Sequence, residues 1–263
     1  MKRIKKAMAL CLAVGLITVF ALTGCKSNSG DKLVVGLDDG FPPMGYRDDN
    51  GNLVGFDIDL AKEVAKRLNM EVEFKPINWT TNIQEVDAGN VDCLWNGMTV
   101  TPDREEALLL SSPYMKNNQV LVVKSDSDYQ TKDDLNGKVL ALQAGSSAYD
   151  AFNDEANADF KGTISKVLEY DNNVKALQDL EAGGCDVVLV DEVVANYYVT
   201  KLEGPYRVLD GSLAAEEYAI GFKKDNTELR DKVEKALKEM AADGTLAKIS
   251  NEWFRCNRNS ISL

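Results

Sequence analysis

Histidine is absent from the 263-residue sequence. Its absence excludes a Ser-His-Asp or Cys-His nucleophile pair and every histidine-ligated metal site. An enzyme on this chain would have to use carboxylates, lysine, tyrosine or cysteine. The chain has 30 Lys and Arg against 42 Asp and Glu, a net charge of −12, and no basic run in its body. We therefore expect no nucleic-acid partner, because phosphates require clustered basic side chains.

Cysteine is scarce, and no two cysteines have Cys-x-x-Cys spacing. Cys11 and Cys25 lie in the N-terminal segment, which leaves Cys93, Cys185 and Cys256 in the body. An odd number without paired spacing argues against a zinc site, and we expect neither a metal nor a cofactor. Cys93 and Cys185 lie in apolar runs and are predicted to be buried thiols. One disulfide among the three stays open.

The N-terminal segment has the pattern of an export signal. Basic residues precede an uncharged stretch from Ala7 to Leu22, which is shorter than the about 20 residues of a spanning helix but suits a secretory signal. The following Leu22-Thr23-Gly24-Cys25 resembles a bacterial lipobox, and an ordinary signal with an unrelated cysteine is the alternative. We expect a signal peptide over 1–24, lipidation of Cys25, and a tether over 25–31. A lipid-anchored protein on the extracytoplasmic face of the membrane would result.

The body alternates short apolar runs with amphipathic stretches. Leu33–Leu37 is typical of a buried strand, and Phe56–Asn69 has apolar residues at helical spacing. Further strands are predicted at Val72–Phe74, Val91–Leu94, Val120–Val123, Val139–Leu142 and Val187–Val190. This rhythm predicts an α/β fold with largely parallel sheets.

Two stretches of the body echo each other. Glu85–Asp92 and Leu180–Asp186 each combine a helix end, a glycine turn and an aspartate ahead of a buried strand. The likeness predicts two similar lobes, with ligands at the carboxyl ends of their strands.

Arg104 is the candidate carboxylate-binding residue. The run Thr101–Glu105 has a helix start with threonine as N-cap and proline at N1, which places Arg104 in the first turn. Arginine suits a bidentate grip on a carboxylate. The alternative is a surface arginine paired with Glu105 or another nearby acid.

Two aspartates and two aromatic residues are further candidates for contact with a ligand. Asp38 and Asp191 each end a predicted strand and could pair with a ligand ammonium, or could be solvated loop acids. Phe41 and Trp79 lie beside these positions and could stack on a ligand or belong to the core. An arginine facing an acid matches the zwitterion of an α-amino acid.

Gly145-Ser146-Ser147 precedes another helical pattern. Backbone N–H groups at a helix start receive anions, and a capping role for either serine is the alternative.

Several motifs in order resemble the polar amino-acid solute-binding proteins of ABC importers, over about Leu33–Phe254. The signature run is Gly55–Leu68 (GFDIDLAKEVAKRL). The other matching pieces are Gly36-Leu37-Asp38 with Pro42-Pro43, Gly97–Arg104, Ser112-Pro113-Tyr114, Leu135–Lys138, Gly145-Ser146-Ser147, Asp191-Glu192 and Asp243-Gly244-Thr245.

The resemblance implies the two-lobed periplasmic-binding-protein fold of type II, with the ligand in a cleft between the lobes. Lobe 1 would comprise 32–121 and 220–263, and lobe 2 would comprise 122–219. Two crossing strands near Val120–Val123 and Tyr218–Phe222 would join them.

The resemblance also implies roles at the site. Arg104 would hold the ligand α-carboxylate, and Asp191 would take the α-ammonium. Asp38 would meet the polar end of the ligand side chain. Thr99 and the backbone at Gly97 and Ser147 would assist Arg104 in holding the carboxylate. The other implied positions are the aromatics Phe41 and Trp79, which would flank the ligand side chain, and the neighbouring Asn96 and Ser146.

Side-chain specificity is left open by two departures from better-known members. Trp95-Asn96-Gly97 replaces a small serine-rich stretch, and Val190 offers no polar group beside Asp191. Asp38 argues against an acidic ligand, because neighbouring carboxylates repel. Lysine, arginine, ornithine, glutamine and cystine stay open.

These features together predict a monomeric receptor that delivers a polar amino acid to an ABC permease and its ATPase subunit, without catalysis. The alternative is an extracellular dehydratase on the same fold, with Asp191 or Glu192 as general acid.

Overall fold

The computed structural model describes residues 31–254. The predicted signal peptide, Cys25 and Cys256 lie outside these residues. Cys93 and Cys185 are buried free thiols, as predicted. Between residues 31 and 254, no helix has the length and apolar character needed to cross a bilayer.

The described chain combines short strands with helices along its length. The strands are β1 (Lys32–Leu37), β2 (Gly40–Phe41), β3 (Gly45–Arg47), β4 (Leu53–Val54), β5 (Glu71–Pro76), β6 (Cys93–Leu94), β7 (Leu109–Leu110), β8 (Met115–Lys124), β9 (Val139–Gln143), β10 (Lys166–Tyr170), β11 (Val187–Asp191), β12 (Tyr206–Val208), β13 (Ala214–Tyr218) and β14 (Gly221–Phe222). The α-helices are α1 (Phe56–Arg67), α2 (Asn82–Asp87), α3 (Pro102–Ala107), α4 (Ser147–Asn153), α5 (Ala158–Thr163), α6 (Asn173–Ala182), α7 (Glu192–Asn196), α8 (Thr227–Ala242) and α9 (Thr245–Phe254).

The strands form two main sheets, one for each lobe. The first has the order β5-β1-β6-β14-β7, and the second has the order β10-β9-β11-β8-β12, with β13 also paired to β8. In each sheet three neighbouring strands are parallel, β5-β1-β6 and β10-β9-β11. The remaining strands pair antiparallel, so the predicted parallel arrangement holds only for part of each sheet.

Helix α1 shows why the signature run folds as it does. Ile58, Ala61, Val64 and Ala65 recur at helical spacing and are all buried. Gly55 precedes the helix at a φ of 147°, where a Cβ atom would lie 2.1 Å from the Met44 carbonyl oxygen. Only glycine therefore fits this close approach.

The chain passes between the sheets at 111–114 and again at 219–220. These passages run side by side, because the Tyr114 N–H donates to the Tyr218 carbonyl at 2.9 Å. The first lies earlier than the sequence suggested, since Val120–Val123 is inside β8 and pairs with β11 in the second sheet. We propose that the lobe boundary lies in the passage before β8 rather than at 121/122.

Candidate functional site

A cavity lies between the two lobes. It brings together all ten positions predicted to meet a ligand, and it adds Gln143. The lining residues are Asp38, Phe41, Trp79, Asn96, Gly97, Thr99, Arg104, Gln143, Ser146, Ser147 and Asp191. Convergence at one cavity does not itself assign their roles, which follow from their contacts.

Arg104 is a buried cation that has no carboxylate partner in the described chain. Thr101 caps α3 by accepting the Arg104 backbone N–H at 3.3 Å, which fixes the arginine at the helix start. The guanidinium donates to the Thr99 carbonyl at 2.8 Å and lies 5.8 Å from the Trp79 ring centroid. No carboxylate oxygen of residues 31–254 lies within 4.0 Å of it, so the surface pairing with Glu105 is wrong. Burial lowers the pKa of Arg104, but arginine stays charged in proteins.

Asp191 is a buried carboxylate on the second lobe. It is the last residue of β11 and is 3% exposed. Its Oδ1 accepts the Tyr218 hydroxyl at 2.6 Å and the Asn117 Nδ2 at 2.8 Å. Burial, and then the charge of Glu216, raise the pKa of Asp191 to about 7. A ligand ammonium would favour the ionised form of this group.

The Gly97 N–H is already used within the protein and is not available to a ligand. Its N–H donates to Asp57 Oδ2 at 2.7 Å, and the Tyr114 hydroxyl donates to the same oxygen at 2.8 Å. Asp57 is 1% exposed, and its burial raises its pKa to about 7. The first aspartate of the signature run, Asp57, therefore supports the site indirectly, because it fixes the Gly97 backbone.

Two hydroxyl groups at the cavity have their protons directed to protein acceptors. Thr99 Oγ1 donates to Glu216 Oε2 at 3.0 Å, and Ser147 Oγ donates to Thr99 Oγ1 at 3.0 Å. A hydroxyl has one proton and two lone pairs. In this arrangement Thr99 and Ser147 offer lone pairs, not protons, to a ligand.

Asp38 and Gln143 also line the cavity, and they contact each other. Asp38 Oδ1 accepts the Gly40 N–H at 2.9 Å, and Oδ2 accepts Gln143 Nε2 at 2.7 Å. Burial raises the pKa of Asp38. Asn96 donates to the Asp38 carbonyl at 3.3 Å, so its amide supports the end of β1. Sequence reasoning missed Gln143, although it ends strand β9 just as Asp191 ends β11.

Ser146 acts as a helix cap. It is the N-cap of α4, with its hydroxyl donating to the Gln143 carbonyl at 2.7 Å and accepting the Tyr149 N–H at 3.4 Å. Ser147, the first residue of the helix, follows it. Phe41 and Trp79 are 6% and 8% exposed and belong to the core while their rings border the cavity. The core interpretation of these aromatics therefore holds, and stacking on a ligand stays a prediction.

Direct hydrogen bonds also join the two lobes across the cleft. They include Gln143 to Asp38 at 2.7 Å, Ser147 to Thr99 at 3.0 Å, and the Tyr197 hydroxyl to the Tyr46 hydroxyl at 2.9 Å. The rings of the two tyrosines meet edge to face, with centroids 5.4 Å apart. The structure is therefore a closed arrangement of the lobes.

Replacing Gly97 with alanine should destabilise the protein more than the same change at Gly89. Both glycines have positive φ, 58° and 71°, which costs about 1–2 kcal/mol for other residues. At Gly97 the new Cβ would also lie 2.9 Å from Phe41 Cε1 and 3.1 Å from Tyr218 Cε2, whereas at Gly89 nothing lies within 4 Å. Denaturant unfolding of both variants measures the difference, and equal losses would contradict a packing role for Gly97.

Several known proteins are similar to this chain in amino-acid sequence. The model of the bacterial extracellular solute-binding proteins, family 3, matches residues 33–256. The arginine-binding extracellular protein ArtP of Bacillus subtilis is 34% identical over 254 residues, covering 93% of this chain and 97% of the relative. The L-cystine-binding protein TcyJ of Escherichia coli K12 is 30% identical over 252 residues, covering 94% and 92%.

A solved structure shows the same architecture. It is an ABC uptake transporter substrate-binding protein from Streptococcus pneumoniae with bound histidine. The likeness has a TM-score of 0.83 and 36% sequence identity, and it covers 88% of this chain and 95% of that chain. The names of these relatives give different amino acids as ligands, so similarity alone does not identify the ligand of this chain.

Proposed function

Because the chain belongs to the bacterial extracellular solute-binding proteins of family 3, we propose that it captures a polar L-amino acid for an ABC importer. The observation that carries this proposal is a buried arginine without a carboxylate partner in the described chain, bordering the same cavity as a buried aspartate. A buried unpaired charge is costly. A zwitterionic ligand supplies the missing anion and, at the same time, a cation for the aspartate.

The ligand carboxylate would bind at Arg104 and the start of α4. Within residues 31–254 the guanidinium makes one hydrogen bond, to Thr99 O, and it has five N–H donors, which leaves donors for a bidentate contact. The backbone N–H of Ser147 lies at the first turn of α4, where carboxylates are favourable.

The ligand ammonium would bind on a set of acceptors. Asp191 supplies a carboxylate oxygen, Gly97 its carbonyl, and Thr99 a hydroxyl lone pair, because the N–H of Gly97 and the proton of Thr99 are already donated elsewhere. Three acceptors match the three N–H donors of an ammonium group. This assignment moves Thr99 and Gly97 from the carboxylate end, where the sequence had placed them, to the ammonium end.

The side chain of the ligand would extend towards Asp38 and Gln143. Three acidic side chains, Asp38, Asp191 and Glu216, lie at or behind the cavity, and Arg104 is the one basic side chain among its lining residues, so acidic groups are in surplus. A ligand with a cationic side chain brings net positive charge to this surplus, so we propose arginine, lysine or ornithine, with glutamine next. Cystine, like glutamine, carries no net charge and therefore ranks below the cationic ligands.

Membrane attachment and transport partners complete the proposal. Lipidation at Cys25 would hold a monomeric receptor at the outer face of the membrane, where a permease and its ATPase subunit take up the ligand. The relatives compared above are binding proteins, and Glu192 does not border the cavity. These points favour binding without turnover over the dehydratase alternative.

Thermal unfolding against the twenty amino acids, ornithine and cystine tests the proposal. A ligand at about a thousand times its Kd stabilises by about 4 kcal/mol, a rise in Tm of roughly 10 °C for a domain of this size. We expect the largest rise with arginine, lysine or ornithine. A cystine response would keep the receptor function and change the ligand. No response to any of these compounds would contradict amino-acid binding.

A further inference from the structure

Glu216 lies directly behind the proposed ammonium site without bordering the cavity. It stands on β13, opposite Asn117 of β8. One oxygen, Oε2, accepts three hydrogen bonds, each of 3.0 Å, from Thr99 Oγ1, Asn117 Nδ2 and Gln119 Nε2. Thr99 belongs to lobe 1, and the two amides belong to the second sheet. The carboxylate therefore joins the lobes where the chain passes between them.

The bonds to Glu216 set the direction of the hydroxyl chain. A carboxylate accepts hydrogen bonds and has none to donate, so the Thr99 proton points to Glu216. Ser147 in turn donates to Thr99, and Gln119 donates to Ser147 at 3.3 Å as well as to Glu216. Without the carboxylate, the Thr99 hydroxyl could turn its proton towards the cavity and meet the N–H donors of an ammonium group.

The carboxylate also shares a donor with Asp191. Asn117 Nδ2 lies 2.8 Å from Asp191 Oδ1 and 3.0 Å from Glu216 Oε2. One amide thus bridges the two acids and holds both in place. Charge and hydrogen-bond direction at Glu216 favour the same ligand group, a cation with several N–H donors.

We propose that Glu216 is a positioning residue for α-ammonium recognition, acting through the hydroxyl of Thr99. This inference rests on the proposed function. Its specific consequence is that Glu216 matters for ligands that carry an α-ammonium and matters much less for matched ligands that lack it.

A double cycle of protein and ligand changes tests this consequence. The Kd of L-arginine and of 5-guanidinopentanoate, its analogue without the α-amino group, is measured by calorimetry or competition at pH 8. L-glutamine and its deamino analogue replace this pair if wild type binds glutamine more tightly. At pH 8 Asp191 is ionised, because its pKa is about 7. The proteins are wild type, Glu216→Met, which removes the acceptor, and Glu216→Gln, which restores a neutral one. Glu217→Gln is the control, since Glu217 is the exposed acid next along β13.

We expect Glu216→Met to reduce the preference for the amino acid over its deamino analogue by about tenfold, the size of coupling found within one hydrogen-bonded network. Glu216→Gln should reduce it by at least about threefold, and Glu217→Gln should leave it unchanged. If Glu216→Met does not fold, the Gln variant decides. An equal loss of affinity for both ligands, or a preference within about twofold of wild type, would overturn the proposal. If wild type binds another amino acid of the thermal-unfolding series more tightly, that amino acid and its deamino analogue form the pair. Failure of wild type to bind any amino acid of that series would overturn the proposed function first and this inference with it.

Discussion

Alanine at position 104 should abolish amino-acid binding and leave the fold intact. The Arg104 guanidinium is 5% exposed and has no carboxylate within 4.0 Å among residues 31–254, so in the empty protein it is a desolvated charge on which Asp150, Glu216 and Asp191 act only from a greater distance. In the complex it would face the ligand carboxylate, and removing one partner of such a buried pair costs about 2–5 kcal/mol. We expect affinity to fall at least about 100-fold.

Calorimetric titration and unfolding of Arg104→Ala separate binding from stability. Arg47→Ala is the matched control, because Arg47 is exposed and pairs with Asp39 at 2.6 Å on the surface. The control should bind as wild type does. Arg104→Lys should recover part of the affinity, since it restores the charge without the planar fork. Wild-type affinity in Arg104→Ala would refute the assignment of the carboxylate site.

Replacing Asp191 with asparagine should weaken ligand binding and, at pH 8, stabilise the empty protein. The amide oxygen of the new side chain can still accept the bonds from Tyr218 and Asn117, but the charge that meets the ligand ammonium is gone. Loss of a buried charge partner again predicts a fall in affinity of at least about 100-fold. The empty variant should nevertheless be more stable than wild type at pH 8.

The pH dependence follows from the Asp191 pKa. Its value of about 7 in the folded protein lies above the value of about 3.9 in unfolded chains, so the folded state binds this proton more tightly. The stability from this group is complete below about pH 4 and is lost as the pH rises through about 7. We expect Asp191→Asn to be clearly more stable than wild type at pH 8 and to differ little from it at pH 4. Urea unfolding at both pH values measures this difference, and a constant difference would contradict a buried ionised Asp191.

Several residues that line the cavity could be predicted from the sequence because one rule positions them. Residues at the carboxyl ends of parallel strands converge at a cleft, and this rule places Asp38 after β1 and Asp191 at the end of β11. Arg104 follows from the helix-start pattern Thr-Pro. Gln143 ends β9, so the same rule could have predicted it.

Other contributors have no local signal in the sequence. Glu216 faces Thr99 only because β13 pairs antiparallel with β8 and then meets the loop at Thr99, and that register depends on contacts distant in the chain. Asp57 belongs to an amphipathic helix pattern that says nothing about Gly97. The first passage between the lobes was predicted too late, because an apolar run such as Val120–Val123 indicates a strand but not the sheet that it joins.

The hydrogen bonds across the closed cleft have a kinetic consequence. The side chains around the cavity are buried in this arrangement, so a bound amino acid has no exit while the lobes stay together. Release then requires Gln143 to part from Asp38, Ser147 from Thr99 and Tyr197 from Tyr46, contacts that belong to the protein alone. The lifetime of the loaded receptor is thereby tied to a rate of opening that the ligand side chain does not set alone, and a permease that pulls the lobes apart would control the moment of delivery.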